Sequence, residues 1–241
     1  MNRFNLKGKV AIITGASRGV GKATAMALSR HGASVVLAAR TQNELETVAD
    51  EIQANSGDAI VIRTDVTLLN QVQRLINLTL DHHGKIDVLI NNSGIGIFES
   101  VTDSDIENWN KVIDSNLKSV YLCSKAVLAP MLEQKSGQII NILSIASKIA
   151  FPFSSSYCAA KAAALAFTKV LREEIREHGI RVTAVLPGSI NSSFWIGMEH
   201  HPDFDLMLTP EHIAKTIVDI VESPDDMTIE EVTVTPPLGI L

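Results

Sequence analysis

The residues with the clearest chemical potential in this sequence are a tyrosine and a lysine four positions apart. The stretch YCAAK runs from Tyr157 to Lys161 within a segment of helical periodicity, and residues at positions i and i+4 of a helix face the same side. A phenol has a pKa of about 10 in water, so it is a poor base at neutral pH until a nearby positive charge stabilises its phenolate. Lys161 is placed to supply that charge.

Such a tyrosine can donate a proton to a carbonyl oxygen or accept one from a hydroxyl group. No side chain carries hydride, so the pair takes part in redox chemistry only beside a bound cofactor. By itself, the pair of Tyr157 and Lys161 fits an ordinary helix face better than a catalytic site. The upstream sequence therefore has to decide between the two interpretations.

A glycine-rich turn near the N-terminus predicts the cofactor site. The stretch TGASRGVG lies between an apolar β-branched run and a helix-forming run, where backbone approaches a pyrophosphate and the N–H groups of the helix bind it. The spacing G-x3-G-x-G differs from the G-x-G-x-x-G fingerprint, and tight turns need glycine in any case. The prediction of a nucleotide site therefore depends on the position of the turn between a strand and a helix. The candidate cofactor-binding residues of the turn are Gly15, Ser17, Arg18, Gly19, Val20 and Gly21.

The end of the second predicted strand indicates which nucleotide is bound. An Asp or Glu at this place would bind the 2′-hydroxyl of the adenosine ribose, but this chain has Arg40. Together with Arg18, it can bind a 2′-phosphate through charge-assisted hydrogen bonds of roughly 1.5–3 kcal/mol each. We therefore predict NADP(H) rather than NAD(H); the alternative is that Arg40 is a solvated charge at the start of a loop.

Strands and helices alternate along the chain. The strand-like runs are VAIITG, SVVLAAR, AIVIRTD, IDVLINNSG, GQIINILS, IRVTAVLPG and IEEVTVT. Most are continuously apolar, which is typical of a parallel sheet covered on both faces. We predict an α/β fold, a Rossmann fold with one doubly wound parallel seven-stranded sheet and helices on both faces, formed by residues 1–241 as a single domain.

Residues at the carboxyl ends of these strands are further candidates for cofactor binding, because ligands bind at that edge of such sheets. Asp65 and Val66 follow the third strand, where they can hold the adenine. Asn92 and Gly94 end the fourth strand beside the same crevice. Residues 189–208 have no regular period but are rich in large apolar side chains, which is typical of a functional lid. We call residues 189–208 the substrate lid.

Composition and charge argue against several classes of protein. The net charge is −6 and no basic run is present, so nothing indicates nucleic-acid binding. The two cysteines, Cys123 and Cys158, lack C-x-x-C spacing, and we find neither a signal-peptide pattern nor a long apolar stretch, so we expect a cytoplasmic protein without a membrane anchor. The histidine pairs at 82–83 and 200–201 lack companion ligands, and we expect no metal site.

In four places the sequence resembles the short-chain dehydrogenase/reductase family. TGASRGVG is similar to that family's TGxxxGxG turn, NNSG to its NNAG, YCAAK to its YxxxK and PGSINSS to its PGxxxT segment. The four occur in the family's order and span nearly the whole chain. Ser144 stands thirteen residues before Tyr157, and Asn116 lies on the preceding predicted helix.

The resemblance implies a role for each matching residue. Tyr157 would be the general acid/base, and Lys161 would lower its pKa while binding the nicotinamide ribose. Ser144 would hydrogen-bond the substrate oxygen, and Asn116 would hold a water that links Lys161 to solvent. The residues implied to contact the nicotinamide are Pro187, Gly188, Ile190 and Ser192.

Residues and resemblance together predict an NADP(H)-dependent oxidoreductase that interconverts a carbonyl compound and its alcohol, acting as a ketoreductase. The overall pattern resembles 3-oxoacyl-acyl-carrier-protein reductases, whereas the ending VTVTPPLGIL is closer to 3-hydroxy-acid dehydrogenases and sepiapterin reductases. The substrate therefore stays open.

Two alternatives lie further from this prediction. Nucleotide-sugar epimerases share YxxxK but are longer, and a non-catalytic cofactor-binding regulator would tend to have lost one of the four residues Asn116, Ser144, Tyr157 and Lys161. The resemblance also implies a homotetramer, or a homodimer, assembled through the helices around residues 110–132 and 155–177.

Overall fold

A single parallel sheet forms the centre of the protein. The computed structural model describes residues 6–195 and 203–239. Its seven strands pair in parallel in the order β3-β2-β1-β4-β5-β6-β7, which confirms the predicted doubly wound seven-stranded sheet. The strands are β1 (Val10–Thr14), β2 (Ser34–Ala39), β3 (Asp58–Arg63), β4 (Val88–Asn91), β5 (Gly137–Ile142), β6 (Ile180–Pro187) and β7 (Glu231–Val234).

Helices cover both faces of this sheet. The helices are α1 (Gly19–Arg30), α2 (Gln42–Ala54), α3 (Leu69–His83), α4 (Ile106–Ile113), α5 (Ser119–Gln134), α6 (Ser155–Ile175) and α7 (Pro210–Val221). Buried side chains of α1, α2 and α7 form one apolar layer, and those of α3, α5 and α6 form the other. Successive residues of a strand point to opposite faces, so Ile13 joins the first layer while Ile12 joins the second.

The strand order places the site. The chain passes from β1 outward to β2 and β3, then returns to β4 on the other side of β1. The order reverses there, so the loops after β1 and β4 separate and leave a crevice at the carboxyl edge, where ligands bind in such sheets. The glycine turn follows β1, and Asn92 follows β4.

A buried polar network fixes α6 against this edge. The Asn91 side-chain amide donates to Ser124 Oγ at 3.0 Å and to Asn141 Oδ1 at 2.8 Å. Asn141 in turn donates to Thr168 Oγ1 on α6 at 2.8 Å. Buried side-chain amides are costly unless paired, so this chain of bonds holds α6, and the residues it carries, in one position relative to β4 and β5.

The two ends of the predicted lid lie side by side. Ile190 and Leu208 form a parallel bridge, in which Asn191 N donates to Leu208 O at 2.8 Å and Leu208 N donates to Ser189 O at 3.0 Å. Residues 196–202, with Met198 and the histidines at 200–201, lie outside the described residues, so a lid over residues 189–208 stays a prediction. None of the helices in the described ranges is both long and apolar enough to cross a membrane.

Candidate active site

The glycine turn brings the N-terminus of α1 close to the end of β1. Gly15 and Gly19 have φ angles of +64° and +54°, a left-handed conformation that glycine adopts without strain. A Cβ atom on Gly21 would lie 2.2 Å from the carbonyl oxygen of Gly15, so a larger residue would push α1 away from the turn. The first N–H groups of α1 have no intrahelical partner and can bind an anion in the crevice.

Two predicted cofactor residues are found to support this turn. Gly21 does not line the cleft, because it is the point at which α1 packs on Gly15. The Asn92 side chain lines the cleft, but its amide donates to Thr14 O at 3.0 Å and to Gly15 O at 3.2 Å. Both residues therefore shape the backbone that a cofactor would meet.

One continuous cleft joins the other predicted residues. Its volume is about 1340 Å³, which exceeds that of a typical small-molecule pocket and leaves room for a dinucleotide and a substrate together. The predicted site residues that line it are Gly15, Ser17, Arg18, Gly19, Val20, Arg40, Asp65, Val66, Asn92, Gly94, Asn116, Ser144, Tyr157, Lys161, Pro187, Gly188, Ile190 and Ser192.

The end of the cleft near β2 and β3 carries two arginines. Arg18 and Arg40 are exposed, and neither guanidinium bonds a protein group within the described ranges. The backbone of Arg40 is held by Arg63, whose Nε donates to the Arg40 carbonyl at 3.0 Å. Asp65 is partly committed, since its Oδ1 accepts from the backbone N and the hydroxyl of Thr67. The two free guanidiniums suit a phosphate group.

The opposite end gathers the four candidate catalytic residues. Tyr157 and Lys161 stand one turn apart on α6, and Lys161 Nζ lies 5.7 Å from the centre of the Tyr157 ring. Ser144 follows β5 and its Oγ accepts from Ala146 N at 3.1 Å. Lys161 is buried, with its ammonium donating to Ile142 O at 3.1 Å. The structure therefore brings these predicted residues together in the cleft, and their catalytic roles stay predictions.

The pKa of Tyr157 is raised in this structure, whereas the resemblance implied that Lys161 lowers it. Burial raises the pKa of Tyr157 from 10.0 to about 12, which outweighs the opposing hydrogen bond with Ser144. Burial likewise lowers the pKa of Lys161 from 10.5 to about 8. In both cases the apolar surroundings disfavour the charged form, so at neutral pH Tyr157 is a phenol with a proton to donate.

Asn116 has a distinctive geometry. It lies in a π-helical turn, Asp114–Lys118, between α4 and α5, and such turns are frequent at functional sites. Its Nδ2 donates to Ile95 O at 2.8 Å and to Val112 O at 2.9 Å. Its buried Oδ1 has no partner among the described residues and faces Gly94, at which a Cβ atom would lie 2.5 Å from this oxygen and 3.6 Å from Lys161 Nζ. This oxygen is free to accept from a water beside Lys161.

Sequence reasoning missed Phe98, one of the aromatic neighbours of Tyr157, while Phe194 lay within the predicted lid. Phe98, in the irregular stretch after β4, lies with its ring centre 5.9 Å from that of Tyr157, and Phe194 of the lid segment lies at 5.7 Å. The stretch after β4 has no hydrophobic period, so only the presence of a phenylalanine beside a glycine-rich loop could have drawn attention to it.

Comparison with known proteins extends these observations. Residues 9–202 match the family model described as short chain dehydrogenase. The chain is 41% identical over 225 residues to a 3-oxoacyl-[acyl-carrier-protein] reductase of Synechocystis sp., with 91% of each chain covered. It superposes on a metagenomic short-chain oxidoreductase in complex with NADP with a TM-score of 0.86 at 34% identity, covering 96% of this chain and 98% of the other. An alcohol dehydrogenase from Thermococcus sibiricus, complexed with 5-hydroxy-NADP, gives a TM-score of 0.88 at 28% identity, with coverage of 95% and 97%.

Proposed function

Because the chain belongs to the short-chain dehydrogenase family, we propose that it is an NADP(H)-dependent ketoreductase acting on a small-molecule carbonyl compound. The observation that carries this proposal is the meeting of a protonated, partly buried Tyr157 with Ser144, Lys161 and Asn116 at one end of a cleft that also contains the glycine turn. The bound nicotinamide supplies the hydride.

Tyr157 and Ser144 act on the carbonyl oxygen of the substrate. As the carbonyl carbon is reduced, negative charge develops on this oxygen, and donors placed on it stabilise the transition state. Tyr157 transfers its phenolic proton to the oxygen while Ser144 donates a hydrogen bond. The raised pKa of Tyr157 keeps the proton in place at neutral pH, which favours catalysis in the direction of reduction.

Lys161 and Asn116 restore the proton. Lys161 is the only cationic side chain at this end of the cleft among the described residues, and it stabilises the phenolate left by proton transfer. A water bound by the free Oδ1 of Asn116 would connect Lys161 to solvent. We also expect Lys161 to hydrogen-bond the nicotinamide ribose. Pro187, Gly188, Ile190 and Ser192, which line the same cleft, would contact the nicotinamide.

Arg18 and Arg40 support NADP(H) as the cofactor. They are the cations at the adenosine end of the cleft, and the solved relatives with NADP and 5-hydroxy-NADP have the same fold. A 3-oxoacyl thioester is the first substrate candidate, because the Synechocystis relative is a 3-oxoacyl-[acyl-carrier-protein] reductase.

The test is oxidation of NADPH in the presence of carbonyl compounds. We expect NADPH to be consumed with at least one of an acetoacetyl thioester, a diketone, an aromatic aldehyde and a pterin ketone, and far more slowly with NADH. Tight NADPH binding without turnover on any of these compounds would contradict the proposal and favour a cofactor-binding regulator.

Replacing Arg40 with Asp should reverse the cofactor preference. The substitution removes one charge-assisted bond to the 2′-phosphate, worth roughly 1.5–3 kcal/mol, and provides a carboxylate for the 2′-hydroxyl of NAD(H). We expect the Kd for NADPH to rise about 10- to 100-fold and the Kd for NADH to fall. Arg74→Asp, which makes the same charge change at an exposed arginine outside the cleft lining, is the matched control. An unchanged ratio of the two Kd values in R40D would show that Arg40 does not read the phosphate.

Assembly and location remain proposals. We propose a homotetramer or homodimer formed through α5 and α6, on which Tyr121, Leu132 and Val170 are exposed; a monomer mass in light scattering would contradict it. A cytoplasmic location stays a prediction.

A further inference from the structure

The wall beside Tyr157 is built from three aromatic rings. The ring centres of Phe98, Tyr157 and Phe194 are mutually separated by 5.7–5.9 Å, and Trp195 packs edge-on against Phe194 at 5.5 Å. These are distances at which aromatic pairs attract each other. This cluster of rings lies at the site of proton transfer beside aliphatic residues such as Ile97 and Ile145, and it offers ring faces on which a planar group can pack.

The absence of a side chain at Gly96 leaves space for two of these rings. A Cβ atom on Gly96 would lie 2.5 Å from Cζ of Phe194 and 2.6 Å from Cε2 of Phe98. Both rings therefore pack closely against the backbone at residue 96, which itself lines the cleft. The face that they present to the cleft is preorganised for a ligand.

Apart from Lys161, the charged side chains that line the described part of the cleft lie at its other end. Among the described residues, the charged groups lining the cleft are Arg18, Arg40, Glu44 and Asp65 near the adenosine end, and only Lys161 near Tyr157. The ammonium of Lys161 already donates to Ile142 O. Lys148, which follows Ser144 closely in sequence, is paired with Glu231. Among the described residues Lys161 is the only cation here that a substrate carboxylate could meet, and the proposed mechanism already uses it to stabilise the phenolate, so desolvating a carboxylate at this end would be costly.

Phe153 adds a further aromatic ring to the cleft lining. It lines the cleft, has a φ angle of +63° and is 65% exposed. Its carbonyl accepts a hydrogen bond from Glu99 N at 2.8 Å, which connects the loop that contains Phe153 to the residue after Phe98. A left-handed backbone is strained for a bulky residue, and such strain persists chiefly at functional sites. Because the exposed ring contributes little to the hydrophobic core, we assign it a role in binding a ligand in the cleft.

We propose that this end of the cleft is a ring-binding subsite: the reacting carbonyl carries an uncharged planar ring that packs against Phe98 and Phe194, with Phe153 as a further contact. The inference rests on the proposed function for the carbonyl chemistry and adds the substrate class. It selects aryl-substituted, neutral carbonyl compounds over linear ones and over free 3-keto acids.

A matched pair of substrates tests the subsite. The N-acetylcysteamine thioesters of 3-oxo-3-phenylpropanoate and of acetoacetate share the thioester and the 3-oxo group and differ only in a phenyl or methyl substituent. We expect the phenyl-to-methyl ratio of kcat/KM to fall about three- to tenfold in Phe98→Leu and in Phe194→Leu, because each loses one aromatic contact of ordinary strength. Comparing ratios between variants cancels the different intrinsic reactivity of the two ketones.

The matched control is Tyr121→Leu, which removes an exposed aromatic ring on α5 that pairs with Phe167 at 5.8 Å and lies outside the cleft lining. Its ratio should equal that of the parent. An equal loss of kcat/KM for both thioesters in the phenylalanine variants, with the ratio unchanged, would overturn the subsite while leaving the ketoreductase function intact.

Measurements of ligand binding test the subsite independently of the proposed ketoreductase function. Calorimetric Kd values for the two thioesters on NADP⁺-bound protein require no turnover, and we expect the phenyl compound to bind at least three times more tightly than the methyl compound and than the free acid 3-oxo-3-phenylpropanoate. Equal Kd values would overturn the inference even in an active enzyme. A retained preference without turnover would support the subsite and contradict the ketoreductase function.

Phe153 is tested by two substitutions that both remove the ring. Phe153→Gly accepts the left-handed backbone and Phe153→Ala does not, so the glycine variant should have the higher Tm. Both should lose the same part of the phenyl-to-methyl ratio. Unchanged ratios in both variants would exclude Phe153 from the subsite, and a loss in the alanine variant alone would indicate a structural effect.

Discussion

Replacing Tyr157 with Phe is expected to lower kcat for carbonyl reduction by about 10²- to 10⁴-fold, the usual contribution of a general acid, while changing the Kd for NADPH less than threefold. The variant loses the transferable proton and little else. The ring that packs between Phe98 and Phe194 stays, so the wall of the cleft and α6 keep their positions. Stopped-flow reduction measures the chemical step, and fluorescence titration measures NADPH binding.

Tyr121→Phe is the matched control, because it removes the same hydroxyl from an exposed tyrosine outside the cleft. It should reduce carbonyl compounds at the parent rate. If Tyr157→Phe also did so, Ser144 or water would have to be the proton donor, and the assignment of Tyr157 would be wrong.

The sequence predicted the sheet and most of the cleft because both depend on local rules. Continuous apolar strands separated by helices predict a parallel sheet, and the carboxyl ends of its strands meet at one edge. The residues after the first four strands, from Gly15 to Gly94, could therefore be assigned to one cleft before any contact was known. Ser144 and the residues from Pro187 to Ser192 were assigned through the family resemblance. The i and i+4 spacing of Tyr157 and Lys161 likewise needs only one regular helix.

Properties that depend on packing between distant segments could not be predicted. The role of Gly21 depends on the 2.2 Å approach of a Cβ atom to Gly15 O, which no spacing reveals. The pKa of Tyr157 is a balance between burial and its polar neighbours, and in this fold burial is the larger effect. The positions of Phe98 and Phe194 depend on where two irregular segments meet, and neither segment has a periodic pattern.

Replacing Lys161 with Met is expected to stabilise the protein while abolishing turnover. Burial lowers the pKa of Lys161 from 10.5 to about 8, so at pH 7 the folded state holds an ammonium at a cost on the order of 3 kcal/mol. The variant loses the bond to Ile142 O, which offsets about 1 kcal/mol of this. We expect the free energy of unfolding at pH 7 to rise by roughly 1–3 kcal/mol, equivalent to several degrees in Tm.

The pH dependence identifies the cause of this stabilisation. Between pH 8 and 10.5 the unfolded chain binds the Lys161 proton more tightly than the folded chain, so the stability of the parent rises with pH through this window. The raised pKa of Tyr157 acts in the opposite sense only above about pH 10, where its stabilising contribution is lost towards pH 12. Urea unfolding at pH 7, 8.5 and 9.5 should therefore show a gap between K161M and the parent that narrows with pH.

Lys169→Met, at an exposed lysine on the same helix, is the control and should leave both the stability at pH 7 and its pH profile close to the parent. A Lys161→Met variant less stable than the parent at pH 7, or a gap independent of pH, would mean that the ammonium is not destabilising where it lies. The expected outcome would mean that keeping the Lys161 ammonium buried lowers the free energy of unfolding of the parent protein. Under the proposed mechanism, the fold holds a buried cation beside Tyr157 because proton transfer uses it there, and the neighbouring apolar residues supply the stability that this cation removes.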